Sequence, residues 1–285
     1  MSSDPEHILT ISCPDTTGIV YHVTGFLYER GCNIIDSAQF GDASTGLFFM
    51  RVHFSAPATL EPSRLQAEFA PVAAKFRMDS RIHDLRVKPR VLFMVSRFGH
   101  CLNDLLFRWA SGQLPMEIPA IVSNHTEFQP LAHSYRLPFF YLPVTAATKA
   151  DQEARLLELV ERERIDLVVL ARYMQILSPG LCARLKGRAI NIHHSFLPSF
   201  KGAKPYLQAH DRGVKLIGAT AHYVTGDLDE GPIIEQDVER VDHAMDPDTL
   251  TAIGRDGERV VLARAVKWHL EHRVLLNGHR TVVFR

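Results

Sequence analysis

The sequence predicts an α/β chain of two domains: a ferredoxin-like β-α-β-β-α-β sandwich, then a Rossmann-like domain with a mostly parallel sheet. Three observations carry this expectation. The chain has 285 residues, which suits two hydrophobic cores better than one. Its first 87 residues alternate strand and helix signals in the order of a split β-α-β unit. From residue 91 onward, short fully apolar runs alternate with helical stretches, the pattern of a parallel sheet covered on both faces.

Residues 8–12 read as the first strand, and Pro14-Asp15-Thr16-Thr17-Gly18 as a turn in which Asp15 or Thr16 caps a helix. That helix runs to about Arg30, with Val20, Val23, Phe26 and Leu27 at helical spacing. Gly31 is placed to end it in a left-handed conformation. Strands follow at 34–40 and 47–54, then a helix over 57–76 and a closing strand over 81–87. Lys88-Pro89-Arg90 is a linker between domain 1–87 and domain 91–285. In the second domain, 91–96, 120–123, 139–142 and 167–170 read as strands, and 149–162 as a helix. Further strands are expected at 189–193 and 216–224, a long helix at 248–272 and a final strand at 280–284.

Composition excludes several function classes. Lys+Arg and Asp+Glu both number 32, so net charge is zero, which argues against an electrostatic nucleic-acid binder. No apolar run approaches the roughly 20 residues that span a bilayer, and MSSDPEH lacks the basic and apolar regions of a secretory signal. Cys13, Cys32, Cys101 and Cys182 are widely spaced and form no CxxC pair. They argue for neither a disulfide framework nor a zinc site, and fit reduced residues of a cytoplasmic protein.

The chemistry concentrates at predicted strand ends, where open α/β sheets bind ligands. In Ala189-Ile190-Asn191-Ile192-His193-His194-Ser195, strand alternation puts Asn191 and His193 on one face. Pro198 and Gly202 then shape a loop. Thr220 and His222 share a face of the next strand, and an acidic loop with Asp227 and Asp229 leads to Gly231-Pro232. An amide, an imidazole and a carboxylate suit acyl or formyl transfer: Asn191 donates to a tetrahedral oxyanion, His193 donates or moves a proton, and Asp229 orients it. Bland readings stand beside this one. Asn-x-His is common, Asp229 alone reads as a turn cap, and Met174 to Leu177 alone read as a Pro-terminated core loop. His222 and Thr220 read as supporting residues, and His194 and His210 as ordinary loop or surface positions.

The run Asn191-Ile-His-His-Ser-Phe-Leu-Pro-Ser-Phe-Lys-Gly-Ala, paired with Asp229, resembles the formyltetrahydrofolate-dependent formyltransferase family over residues 90–285. The resemblance implies Asn191, His193 and Asp229 as the catalytic trio. It implies that the segment Arg172-Tyr-Met-Gln-Ile-Leu-Ser-Pro holds folate through Met174, Gln175, Ile176 and Leu177. Where family members that use nucleotide acceptors carry a Gly-rich phosphate loop, this chain reads Ser96-Arg-Phe-Gly-His-Cys-Leu-Asn103. That departure, the doubled His193-His194 and Gly-Ala-Lys-Pro-Tyr resemble the formyltetrahydrofolate deformylases of this family. Cys-Pro-Asp-Thr-Thr-Gly-Ile with Gly-Cys-Asn-Ile-Ile resembles an ACT domain, which those deformylases carry.

The implied activity is hydrolysis of 10-formyltetrahydrofolate to formate and tetrahydrofolate, supplying formate for one-carbon and purine metabolism. A formyltransferase with an amine acceptor is the alternative. No metal or cofactor is implied; the partners are the folate substrate and water. The ACT resemblance implies a homo-oligomer, dimer or tetramer, and an amino-acid effector at Asp15, Thr16, Thr17 and Gly18, facing Asn33.

Overall fold

A computed structural model describes residues 4–198 and 205–285. It divides into two compact units, one formed by the residues up to Lys88 with Glu271–Asn277 and Thr281–Arg285, the other by Pro89–Leu270 with Gly278–Arg280.

In the first unit, β1 (Glu6–Pro14), α1 (Ile19–Glu29), β2 (Asn33–Asp42), β3 (Leu47–Ser55), α2 (Pro62–Phe76) and β4 (Asp79–Asp84) follow in the expected order. The antiparallel sheet runs β2-β3-β1-β4. The alternation on β1 buries Leu9, Ile11 and Cys13 against Val23, Phe26 and Leu27 of α1 and Leu65 and Phe69 of α2. Gly31 has φ +68 as expected. Three local expectations are corrected. The N-cap of α1 is Gly18, at φ 93, and neither Asp15 nor Thr16 caps it. Helix α2 starts at Pro62, which fixes its own φ and needs no N–H at a helix start. Strand β4 ends at Asp84, because the carboxylate of Asp84 accepts the Arg86 backbone N–H at 2.9 Å and closes a turn.

The chain end also differs from expectation. The last strand is half of a hairpin, β12 (Val274–Asn277) and β13 (Arg280–Val283). Most of this hairpin groups with the first unit and not with 91–270. Leu275 and Phe284 bury Phe49 of β3. Asn277 donates to the Asp42 carboxylate at 2.7 Å, and Arg51 donates to the Glu271 carbonyl at 3.1 and 3.2 Å.

The second unit is a doubly wound sheet of β5 (Arg90–Val95), β6 (Glu117–Ser123), β7 (Phe139–Tyr141), β8 (Leu167–Leu170), β9 (Ala189–His193), β10 (Leu216–Tyr223) and β11 (Ile233–Arg240). Their spatial order is β11-β10-β9-β8-β5-β6-β7. From β7 to β9 the strands are parallel, and β10 runs antiparallel to both neighbours. Strand β5 is followed on one side by β6 and, later in the chain, on the other by β8. The strand order therefore reverses there, and the carboxyl ends nearby form a ligand crevice. Helices α3 (His100–Ala110), α5 (Lys149–Arg162) and α8 (Pro247–Leu270) flank the sheet. Short helices α4 (Gln129–Ser134), α6 (Pro179–Arg184) and α7 (Pro205–Asp211) complete the unit. Among the described residues, no helix is long and apolar enough to cross a membrane.

Candidate active site

Strand β9 positions the first two site residues. Its register with β10 sets Asn191 opposite His222 and His193 opposite Thr220. After Tyr223 the chain leaves the sheet and returns, bringing Asp229 back over β9. Two backbone features make that return possible. Asp229 sits at φ +57, a left-handed conformation that Asp and Asn tolerate better than most residues. A Cβ on Gly231 would lie 1.6 Å from the Tyr223 carbonyl oxygen, so only glycine fits.

The side chains converge. The Asp229 carboxylate lies 3.3 Å from His193 Nδ1 and 3.8 Å from His222 Nε2. His222 Nδ1 donates to the Tyr223 carbonyl at 2.9 Å. Burial holds this imidazole below its ordinary pKa, so it is neutral, and Nε2 is left to accept the Asn191 amide at 3.3 Å. His222 thereby fixes which way the Asn191 amide faces. Burial pushes the Asp229 carboxyl up, but the His193 hydrogen bond and the neighbouring imidazoles outweigh it and leave it below the usual range. Asp229 is an anion at neutral pH. Among the described residues, buried His193 Nε2 has no hydrogen-bond partner. A ring held on Nδ1 by a carboxylate with Nε2 free is set up for proton transfer.

Asn191, His193, His222 and Asp229 line one cavity of about 280 Å³, together with Met174, Gln175, Ile176 and Leu177. Met174 and Ile176 are half exposed or more, unpaid apolar surface of the kind that encloses a flat ring. Thr220 is buried behind the cavity. Its hydroxyl donates to Ser195 O at 2.9 Å and accepts Leu197 N at 3.0 Å, pinning the loop after β9. The expected contribution of Gly202 falls in 199–204, outside the described residues.

The formyl transferase family model matches residues 89–266. Formyltetrahydrofolate deformylase of Corynebacterium sp. (strain P-1) is 52% identical over the full length of both chains. The crystal structure of formyltetrahydrofolate deformylase from Burkholderia mallei ATCC 23344 is 57% identical, with a TM-score of 0.94 over 99% of this chain and 100% of that one. Glycinamide ribonucleotide transformylase 1 from Symbiobacterium toebii is 27% identical, with a TM-score of 0.66, and aligns with only 70% of this chain and 95% of its own.

This chain belongs to the formyltetrahydrofolate deformylase family.

In this deformylase-family chain, site residues beyond those expected come into view. His194 is buried, not a surface loop residue, and lines the cavity. Strand β9 ends at His193, so alternation no longer decides where the next side chain goes. Burial, with the Arg172 charge beside it, holds the His194 imidazole down at about 3. His210 is exposed as expected. Leu228, 58% exposed, adds a further apolar wall. Glu258 of α8 is fully buried. It accepts the Tyr206 hydroxyl at 2.6 Å and meets His100 Nε2 at 2.7 Å. A Cβ on Gly254 would lie 2.1 Å from the Tyr206 ring, so this glycine admits the tyrosine to Glu258. His100, Cys101 and Glu258 lie within ion-ligating distance of one another, but Arg172 Nε, 3.4 Å from the carboxylate, already supplies a cation there.

The N-terminal ligand loop is not assembled as expected. Asn33 and Glu6 both pair with Ser55, whereas Pro14 and Asp42 both pair with Leu47. Asp15, Thr16, Thr17 and Gly18 therefore follow one end of the sheet, and Asn33 stands at the other. Asn33 instead lines a surface cavity with Tyr21, Thr24 and Tyr28.

Proposed function

We propose that this protein hydrolyses 10-formyltetrahydrofolate to formate and tetrahydrofolate. One observation carries the reading most: Asn191 and His193 of one strand and Asp229 from a later loop converge in a cavity also lined by the half-exposed side chains of Met174 and Ile176 and by buried Leu177. Full-length similarity to formyltetrahydrofolate deformylases supports it over transfer to an amine.

Folate binds with its ring against Met174, Ile176 and Leu177 and its formyl group toward His193. A water enters between His193 Nε2 and the formyl carbon. As its oxygen bonds to that carbon, Nε2 takes its proton, and Asp229 steadies the resulting imidazolium through Nδ1. The second amide hydrogen of Asn191 and the imidazolium meet the oxyanion. The C–N10 bond then breaks, the electron pair goes to N10, and His193 returns the proton there. Formic acid leaves as formate and a proton. In this scheme His222 is a positioning residue for Asn191. In water enriched in ¹⁸O, the formate should carry one solvent oxygen per turnover. Unlabelled formate, or formyl appearing only on an added amine, contradicts the proposal.

For the N-terminal unit we propose pairing with a second copy, in the manner of ACT domains. Strand β2 is a sheet edge with Ile35 and Phe40 exposed, and α1 exposes Tyr21 and Tyr28. Such an edge is a template for another strand. Light scattering should give a dimer or larger for the full chain and a smaller species for Phe40→Lys with Ile35→Lys. An unchanged assembly contradicts this assignment. A small amino acid bound at the joint is the regulatory extension of the same proposal, read by its effect on formate release.

A further inference from the structure

A second cavity of about 460 Å³ lies beside the catalytic one, and the hydrolytic scheme above does not use it. Arg172, Met174 and His194 line both and form their common wall. The far walls are Phe98, Tyr206, Thr251 and Arg255. Its charges are unevenly satisfied. Glu258 has both carboxylate oxygens engaged, by Tyr206 and by His100. Burial pushes that carboxyl up, yet the His100 bond and the Arg172 charge hold it below the usual range, so it is an anion.

Arg172 is in the opposite condition. Its side chain is only 9% exposed, and among the described residues its buried Nε and Nη1 have no hydrogen-bond partner. Its Nε faces Glu258 at 3.4 Å without the alignment of a hydrogen bond. The guanidinium lies over the Phe98 ring at 5.6 Å, and the Arg255 guanidinium lies over the same ring at 5.3 Å. Two guanidiniums thus flank one aromatic ring in the wall of this cavity. A buried guanidinium with unused donors is matched by a small anion, above all by a planar carboxylate.

We propose that Arg172 receives the formate anion once the C–N10 bond has broken, and that this second cavity is the route by which formate leaves. The inference rests on the hydrolytic reading of the neighbouring site. The new carboxylate forms close to the Asp229 anion, which repels it. Arg172 lies in the wall that the two cavities share; Glu258 at 3.4 Å offsets its charge, but its unused N–H donors are there for the carboxylate to accept. His194 in that wall is neutral and has an N–H to offer. Formate then leaves without displacing tetrahydrofolate from the apolar segment 174–177.

Binding of ¹³C-formate to the full-length protein, followed by NMR line broadening with sodium chloride as the ionic control, tests this. The wild type should bind formate saturably, with and without tetrahydrofolate. Arg172→Gln should weaken formate by about tenfold or more, the scale of one lost charge-assisted hydrogen bond, while tetrahydrofolate affinity stays within about twofold. Thr251→Trp, which fills the cavity from α8 and keeps the arginine, should give the same loss if Arg172→Gln does not fold. Unchanged formate affinity in either folded variant, displacement by chloride as readily as by formate, or no saturable binding to the wild type overturns the inference. Hydrolysis assayed on the same samples separates the two readings. A wild type that releases formate but lacks an Arg172-dependent formate site overturns this inference alone. A wild type that releases none overturns the hydrolytic reading and this one with it.

Discussion

Both units bury polar side chains, but they finish them differently. In the first unit, buried Arg51 donates to Glu271 O of the C-terminal segment, and buried Asn277 of that segment donates to Asp42 of β2. In the second, His193 Nε2 and Arg172 Nη1 are buried and unspent, and both residues line cavities. A satisfied buried group holds a fold together. An unsatisfied one facing a cavity costs stability, and its presence there marks a place where a ligand completes the bonding. Two groups in the first unit depart from this: Asn277 Oδ1, buried without a partner among the described residues, and His7. His7 is fully buried with neither ring nitrogen bonded among the described residues and packs on Phe54 at 5.5 Å, and burial holds its pKa down.

The contrast is most easily broken at Asp229. Asp229→Asn keeps the shape and tolerates the left-handed backbone, but it removes the charge that supports His193. Turnover should fall by about 10²–10⁴-fold with the melting temperature nearly unchanged. Near-normal kcat would mean the convergence on His193 is structural. The two histidines grade the same idea. His193→Ala should lose more kcat than His222→Ala, because one moves the proton and the other only orients Asn191. The reverse order in two folded variants would exchange their roles.

In the first unit the expected effect is on folding and not on rate. Arg51→Met retains bulk but strips the Glu271 carbonyl of its donor, at a cost of about 1–3 kcal/mol in urea unfolding. Formate release per folded molecule should be unchanged. A loss of kcat without a loss of stability would erase the distinction between the units.

The smallest effect concerns acid. His194 has a folded value of about 3, against about 6.5 when unfolded. Between those values the unfolded chain binds the proton and the folded chain does not, so stability falls as pH drops from about 6.5. The slope from this residue is at most about 1.4 kcal/mol per pH unit. Denaturant midpoints for His194→Gln should decline less between pH 6.5 and 5 than those of the wild type. Parallel declines would show that His194 is not buried neutral.

What was legible in the sequence follows the same division. Periodicity located the strands because β5, β8 and β9 are buried on both faces and β1 on one. It misjudged the ends, where single side chains decide: Pro62 for α2, Asp84 for β4, Gly18 for α1. The sequence shows the last strand, β13, but not its hairpin partner β12 or where the hairpin packs, because its contacts, Phe49 and Asp42, lie more than 200 residues away. The convergence of Asn191, His193 and Asp229 was read from motif resemblance; alternation alone placed only Asn191 with His193. Arg172 sits at a left-handed turn just past β8, which no periodicity reveals. Glu258 carried a faint signal, an acid spaced by fours from Leu250, Gly254 and Leu262 on the buried face of α8.

The central claim is that water is the acceptor. Purified full-length protein with 10-formyltetrahydrofolate and no amine acceptor should release formate and tetrahydrofolate in equal amounts, turnover after turnover. Formate that stays at background until an amine is added would contradict it.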